Sequence, residues 1–299
     1  MLNIGILYER GEGVEQDKPK AALWYQRAVD NGCVAAIAIL GDYFSNEQDK
    51  QKAAYWFERA AENGDASAMF NIGSMYSHGD GVEQDKQKAL YWYKKAADNG
   101  MVQAMYNLGL LYGSGQGVAK DKLKALHWFE QAAQGGDAEA MYTVATIYLQ
   151  GNSVAQNAEE AFCWYEEAAK FDHADAMFNL GLMYSKGMGV TQDKSKALFW
   201  YEKAAESNIA FAMFNIGQMY DNGDGVPQDK QKAAQWYKKA ADNGDATAMR
   251  VVGVMYSMGE GMALDKKSAL HWFQKAADNG DLEAKAILKN PEALSWLSE

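Results

Sequence analysis

Proline is scarce in this chain, with three residues among 299 against 28 glycines. That ratio suits helices stopped by glycine better than a β-fold punctuated by proline. Positive charge is also short: 29 Lys and Arg stand against 40 Asp and Glu, for a net charge of -11. Such a balance argues against a protein that neutralises nucleic-acid phosphates or lies on an anionic membrane. No apolar run approaches the ~18 residues of a spanning helix. The opening Met1-Leu2-Asn3-Ile4-Gly5 lacks the basic and apolar regions of a signal peptide. With 48% hydrophobic and 23% charged residues, the composition is that of a folded soluble protein rather than a disordered one.

The tryptophans set the organisation. Eight of the nine fall at Trp24, Trp56, Trp92, Trp128, Trp164, Trp200, Trp236 and Trp272, so that after one gap of 32 every interval between them is 36 residues. The prior of ~150 residues per domain suggests two domains, yet a period this regular marks one repetitive array over 1–299. Residues 1–32 read as an incomplete repeat, 33–64 as a shortened one, 65–280 as six full repeats and 281–299 as a C-terminal cap. In the shortened repeat Phe44 takes the Tyr76 position and the Gly-x-Gly-Val turn is missing.

Each unit reads as two antiparallel helices. Asp65 caps the first, with Ala68, Ile72 and Tyr76 on one face. Gly79 and Gly81 supply a tight connection, and Asp85 caps a second helix carrying Ala89, Trp92, Tyr93 and Ala96. Asn99-Gly100 ends it in a left-handed turn, a role that Asp172 and Asn208 take where the glycine is replaced. Gly73, Gly109, Gly181, Gly217 and Gly253 sit mid-helix at a cost of about 0.8–1 kcal/mol each relative to Ala. Close helix–helix approach is the expected reason. The repeated Trp and Tyr are expected in the core, Trp128 among them. At the far end, Lys285 and Lys289 read as a polar stop to stacking, and Asn290-Pro291 starts a final helix carrying Leu294 and Trp296. Met1 aligns with Met69, which leaves Leu2, Ile4 and Leu7 at an unprotected end. A truncated start is the expectation there, with pairing through that end as the alternative.

The string Ala-x-x-x-[Leu/Ile]-Gly-x-x-Tyr-x-x-Gly-x-Gly-Val-x-x-Asp-x-x-Lys-Ala-x-x-Trp-[Tyr/Phe]-x-x-Ala-Ala resembles the Sel-one-like repeat (SLR), a cousin of the tetratricopeptide repeat. Residues 68–97, 104–133, 176–205 and 212–241 match it throughout. Residues 138–169 depart most, with Ala145 for the helix glycine, Ser153 for a loop glycine and Asn157 for the capping Asp. The resemblance implies an all-α fold, a right-handed α/α superhelical solenoid of about eight repeats plus a capping helix. It also implies an adaptor that holds proteins or peptides.

Two further stripes run along the first helices. One is Asn71, Asn107, Asn179 and Asn215, preceded by Asn3 and interrupted by Ile39, Thr143 and Val251. The other, one residue earlier, is Phe70, Tyr106, Tyr142, Phe178 and Phe214. An asparagine amide both donates and accepts, so it can pair with a peptide backbone whatever the side chains. In tetratricopeptide modules that resemble this chain, the corresponding asparagine grips extended peptide. The alternative is that each Asn bonds the neighbouring repeat and fixes stacking. The aromatics are hot-spot candidates for a bound segment, or else pack between adjacent first helices. Selectivity would then come from positions such as Ser74, Leu110, Leu182 and Gln218, three residues after the Asn position.

Catalytic signals are missing. His78, His127, His173 and His271 are scattered, no serine precedes a lysine by three residues, and no metalloprotease, P-loop or nucleophile-elbow motif occurs. The Gly-x-Gly-Val turns follow helices, not strands, so no dinucleotide site is expected. Near Asn222-Gly-Asp224-Gly, Tyr220 stands where a calcium loop needs its first carboxylate. The expectation is a non-enzymatic scaffold without metal or cofactor, binding a protein or peptide partner and no nucleic acid. A subtype is a neutralising partner of a toxin or effector; the other class is a structural protein self-associating through its N-terminal end. Cys33 and Cys163 lie too many repeats apart to pair, which leans towards a cytoplasmic location. A removed signal would instead make it periplasmic or secreted.

Overall fold

A computed structural model describes residues 1–298, with the side chains of Leu294 and Ser298 outside the described residues. Eighteen α-helices are found among the described residues, and no strand. They are α1 (Leu2–Arg10), α2 (Lys18–Asp30), α3 (Ala35–Asn46), α4 (Lys50–Glu62), α5 (Ala66–His78), α6 (Lys86–Asp98), α7 (Val102–Ser114), α8 (Lys122–Gln134) and α9 (Ala138–Gln150). There follow α10 (Ala158–Ala169), α11 (Ala174–Lys186), α12 (Lys194–Glu206), α13 (Ala210–Asn222), α14 (Lys230–Asp242), α15 (Ala246–Met258), α16 (Lys266–Asp278), α17 (Leu282–Lys289) and α18 (Pro291–Ser298). The chain divides into two compact units, Met1–Ala140 and Met141 onward. Within each, helices pack in sequence: α3 on α4, α4 on α5 and α5 on α6 in the first, α11 on α12, α12 on α13 and α13 on α14 in the second. Each unit is an α/α solenoid.

Local chemistry places the helix ends. Asp49 Oδ1 accepts from Lys52 N at 3.2 Å, Asp121 from Lys124 N at 3.0 Å and Asn157 from Glu160 N at 3.1 Å, so the second helices start on side-chain caps. At their ends, Asn63 and Asn99 donate back to the carbonyls of Arg59 and Lys95. Gly100 follows at φ 82°, while Asp172 (57°) and Asn208 (63°) hold the same left-handed conformation without glycine. The shortened repeat closes its three-residue turn on Gln48 at φ 62°. In the divergent repeat Gly151 keeps its left-handed turn, and Ser153 is not among the residues at positive φ.

The mid-helix glycines do mark close approach, and the partner is a ring. A Cβ on Gly109 would lie 2.5 Å from Phe129 Cε1, on Gly181 2.5 Å from Tyr201 Cδ1, and on Gly253 2.8 Å from Phe273 Cδ1. Each hairpin therefore closes by seating the second helix's ring on bare backbone of the first. The loop glycine makes the junction between repeats in the same way. A Cβ on Gly81 would overlap the Lys50 carbonyl, and one on Gly225 would touch the Lys194 side chain. Across these junctions Lys50 Nζ reaches Asp80 Oδ1 at 2.6 Å and Lys194 Nζ reaches Asp224 Oδ2 at 2.7 Å.

That seam corrects the expected role of tryptophan. The ring on the glycine belongs to the next residue, Tyr25, Phe57, Tyr93, Phe129, Tyr165, Tyr201, Tyr237 and Phe273, all buried. One residue on turns a helix by 100°, which swings each Trp to the edge of the core. Trp56, Trp92 and Trp272 remain buried, but Trp24, Trp128, Trp164, Trp200 and Trp236 are half-buried. Several lie under cations, such as Arg27 over Trp24 at 4.9 Å and Lys239 over Trp236 at 4.1 Å.

The ends differ. Leu2 packs on the core, while Ile4 and Leu7 are exposed. At the other end Asn290 Oδ1 caps α18 by accepting from Glu292 N at 2.9 Å, and Leu297, not Trp296, is the buried residue, against Ala269 and Phe273. Lys266 stands over the Trp296 ring at 4.4 Å.

Two stability outcomes follow from the glycine–ring seam. Gly109→Ala gains about 1 kcal/mol of helix propensity but meets Phe129, and overpacking at about 1–3 kcal/mol outweighs that gain. Gly113→Ala, whose Cβ would sit an ordinary 3.6 Å from Ala125, should keep the gain and raise the melting temperature. A rise for both would refute the seam. Phe129→Ala should cost about 3–5 kcal/mol by chemical denaturation, clearly more than the half-buried Trp128→Ala; equal losses would contradict the assignment of the core ring.

Candidate functional site

The asparagine and aromatic stripes are half-buried throughout. Each aromatic packs on the core ring of its own repeat's second helix. Phe70 meets Tyr93 at 5.7 Å between ring centroids, Tyr106 meets Phe129 at 5.3 Å and Tyr142 meets Tyr165 at 5.7 Å. Phe178 meets Tyr201 at 5.9 Å and Phe214 meets Tyr237 at 5.3 Å. Two also reach the start of the next first helix: Tyr142 stacks on His173 at 4.7 Å, and Phe178 lies 6.3 Å from the exposed Phe211. These rings thus brace the hairpin with one side and leave the other towards the first-helix face.

Asn71, Asn107 and Asn215 line clefts at the junctions between repeats. In the first unit a cleft of about 230 Å³ holds Asn71 with Asp42, Ser45, Lys50, Phe57, Phe70, Ser74 and Asp80. A second, of about 330 Å³, holds Asn107 with Ser77, His78, Lys86, Tyr93, Leu110 and Ser114. In the second unit, Asn215 shares a cleft of about 180 Å³ with Leu182, Ser185, Tyr201, Gln218 and Asp224. The same repeat positions recur in all three. An Asn comes from one first helix, a small polar residue from the end of the preceding one, and the floor is the preceding repeat's core ring.

What the amides do follows from that floor. Among the described residues, the side-chain amides of Asn71, Asn107 and Asn179 make no hydrogen bond. Asn71 faces Phe57, which has nothing to offer. The Tyr93 hydroxyl near Asn107 is engaged by Ser74 and Ser77, and burial pushes its pKa up. Asn215 differs: with Ser185 it contacts the hydroxyl of Tyr201, whose pKa burial lifts to about 12 against the pull of those two contacts. Asn71 and Asn107 are therefore open to a ligand, and Asn215 also touches the neighbouring repeat.

Asp42 was not singled out by the sequence. It occupies the position three residues after Ile39, the site of the missing asparagine, and aligns with Ser74 and Leu110. Burial first, then the negative Asp65 and Glu9, push its carboxyl above the usual range. Among the described residues no group of His, Cys, Asp or Glu converges as a metal site, and Cys33 and Cys163 are free thiols. No helix among them is long and apolar enough to cross a membrane.

The Sel1 repeat model matches the chain eight times, at residues 1–33, 34–65, 66–101, 102–137, 138–170, 174–209, 210–245 and 246–281. The chain belongs to the Sel1 repeat family. Among solved structures, it is similar to a protective antigen present in uropathogenic Escherichia coli strains, which displays an SLR fold. The identity is 29% over 99% of this chain and 67% of the antigen, with a TM-score of 0.88. It is also similar to a Sel1 repeat protein from Oxalobacter formigenes, at 34% identity over 96% of this chain and 84% of that one, with a TM-score of 0.79. No curated protein matches the chain significantly. Sel1 repeat proteins are generally scaffolds that bind other proteins, and they are typically not enzymes.

If these Sel1 repeats leave their amides unused in folding, Asn71, Asn107 and Asn179 can be changed to Ala together without loss of stability. Calorimetry should show an unchanged or raised melting temperature, since Ala favours the helix by about 0.5 kcal/mol per site. A clear drop would return the amides to a structural role.

Proposed function

We propose that this Sel1 repeat protein is a non-enzymatic adaptor whose first-helix face holds an extended segment of a partner protein. Within each unit, Asn71 and Asn107 in the first and Asn179 and Asn215 in the second clamp the backbone of a bound segment, each amide donating to a carbonyl and accepting from an N–H. The exposed sides of Phe70, Tyr106, Tyr142, Phe178 and Phe214 form the apolar wall beside it. The supporting observation is that Asn71 and Asn107 lie in open clefts, and that neither they nor Asn179 has a hydrogen-bond partner among the described residues. A half-buried polar group gains most from a ligand when folding has left it unpaired. The rings are held rigid by the core seam, so ordering them costs a bound segment little. A neutralising role towards a toxin or effector would use the same face.

The test is affinity capture with mass spectrometry, comparing wild type with the Asn71, Asn107, Asn179, Asn215 to Ala variant, and circular dichroism on both. A partner recovered by the wild type and lost by the folded variant is the expected result. Equal recovery by both would overturn the clamp and move the search to the second-helix face.

A further inference from the structure

The clefts at Asn71 and Asn107 are neighbours on one unit, yet their chemistry differs. In the Asn71 cleft, between α3 and α5, Asp42 has neither an ion pair nor a hydrogen bond among the described residues. Partial burial first, and the carboxylates of Asp65 and Glu9 second, raise its pKa. Lys50 lines the same cleft, but Asp80 engages it at 2.6 Å. The negative charge of Asp42 is therefore unanswered in a cleft walled by the rings of Phe57 and Phe70. A cation there meets a carboxylate, two aromatic faces and the acceptor oxygens of Asn71, Ser45 and Ser74. Planar guanidinium suits such a set, because it donates in several directions at once and stacks on rings.

The Asn107 cleft, between α5 and α7, has no carboxylate among its lining residues. Lys86 Nζ is turned to Ser77 Oγ at 3.1 Å. At this junction Ser74 aligns with Asp42, and Leu110, 46% exposed, takes the place that Ser74 has beside Asn71. This cleft favours an apolar side chain. Stacked helices step by on the order of 10 Å, and an extended chain advances ~3.3 Å per residue, so adjacent clefts lie about three residues apart on one strand.

We infer that the partner segment is basic: it places an arginine or lysine in the Asn71 cleft and an apolar side chain three residues away in the Asn107 cleft. The inference rests on the backbone-clamp reading of the asparagines and adds the selectivity that a backbone clamp alone lacks.

Selection of a phage-displayed library of random dodecapeptides on the full chain tests it, run in parallel on Asp42→Asn and on the Asn71→Ala, Asn107→Ala double variant. The wild type should enrich peptides with a basic residue three positions from an apolar one. Asp42→Asn should lose the basic preference and keep the apolar one. An enriched peptide, labelled for fluorescence anisotropy, should bind Asp42→Asn about tenfold more weakly, the size of one charge-assisted hydrogen bond. Its arginine replaced by citrulline should weaken binding to wild type by the same factor and to Asp42→Asn by little more. Peptides that depend on Asn71 and Asn107 but show no basic residue would overturn the selectivity and leave the clamp standing. Peptides that bind the double variant as tightly as wild type, or no enrichment at all, would overturn the clamp and the selectivity with it.

Discussion

Seven hairpins among the described residues are closed by one contact, an aromatic ring of the second helix lying on the bare backbone of a first-helix glycine. At Gly109 there is no room for a methyl group, since the ring of Phe129 occupies its place. This contact sets how near the two helices run and therefore where everything on the first helix points. Two residues before the glycine stands the asparagine, and three before it the aromatic that tilts onto the same ring. The binding face and the core seam are thus built from one short stretch of helix. Ala145 stands at this position in the divergent repeat, where the Tyr165 hydroxyl lies 3.0 Å from Thr146 Oγ1.

Repeats are joined by a second close approach, with a loop glycine packed against the start of the preceding second helix. At some of these junctions a lysine at that helix start, such as Lys50 or Lys194, reaches over to the loop carboxylate of the next repeat. These ion pairs are exposed and add little stability individually. Their effect on the clefts is larger. By engaging Lys50 and Lys194, the loop acids Asp80 and Asp224 remove cations that would otherwise neutralise the first-helix face. The Asn71 cleft is then left with the charge of Asp42, whereas at the Asn107 junction Ser74 stands at the place of Asp42, Gln116 at that of Asp80, and Lys86 turns to Ser77.

Much of this was legible in the sequence because caps and turns are local chemistry. Asp85, Asn99 and Gly100 identify their helix ends within a few residues, and Asp172 and Asn208 were recognisable as left-handed substitutes. The mid-helix Gly73 announced close approach by its cost alone. The tryptophan stripe misled because Trp92 and Tyr93 repeat with the same period, and period cannot say which of two adjacent rings faces the seam. That the ring alternates between Tyr and Phe, as at Tyr93 and Phe129, hid it further behind an unvarying Trp. The clefts were least visible, since each combines residues about 30 positions apart, such as Lys50 and Asp80. Asp42 was hidden for another reason: its repeat lacks both the asparagine and the glycine turn that would have drawn attention to it.

The account turns on asparagine amides that folding leaves free, and side-chain amide NMR on selectively labelled asparagine examines them directly. Asn63, Asn99 and Asn243 donate to carbonyls of their own helices at 2.7, 2.8 and 2.9 Å, and so serve as internal controls. In the free protein, the amides of Asn71, Asn107 and Asn179 should exchange with water like exposed groups while the controls are protected. On addition of the captured partner those three should shift and become protected, with the controls unmoved. Groove amides already protected in the free protein, or unmoved when the partner binds, would contradict the clamp.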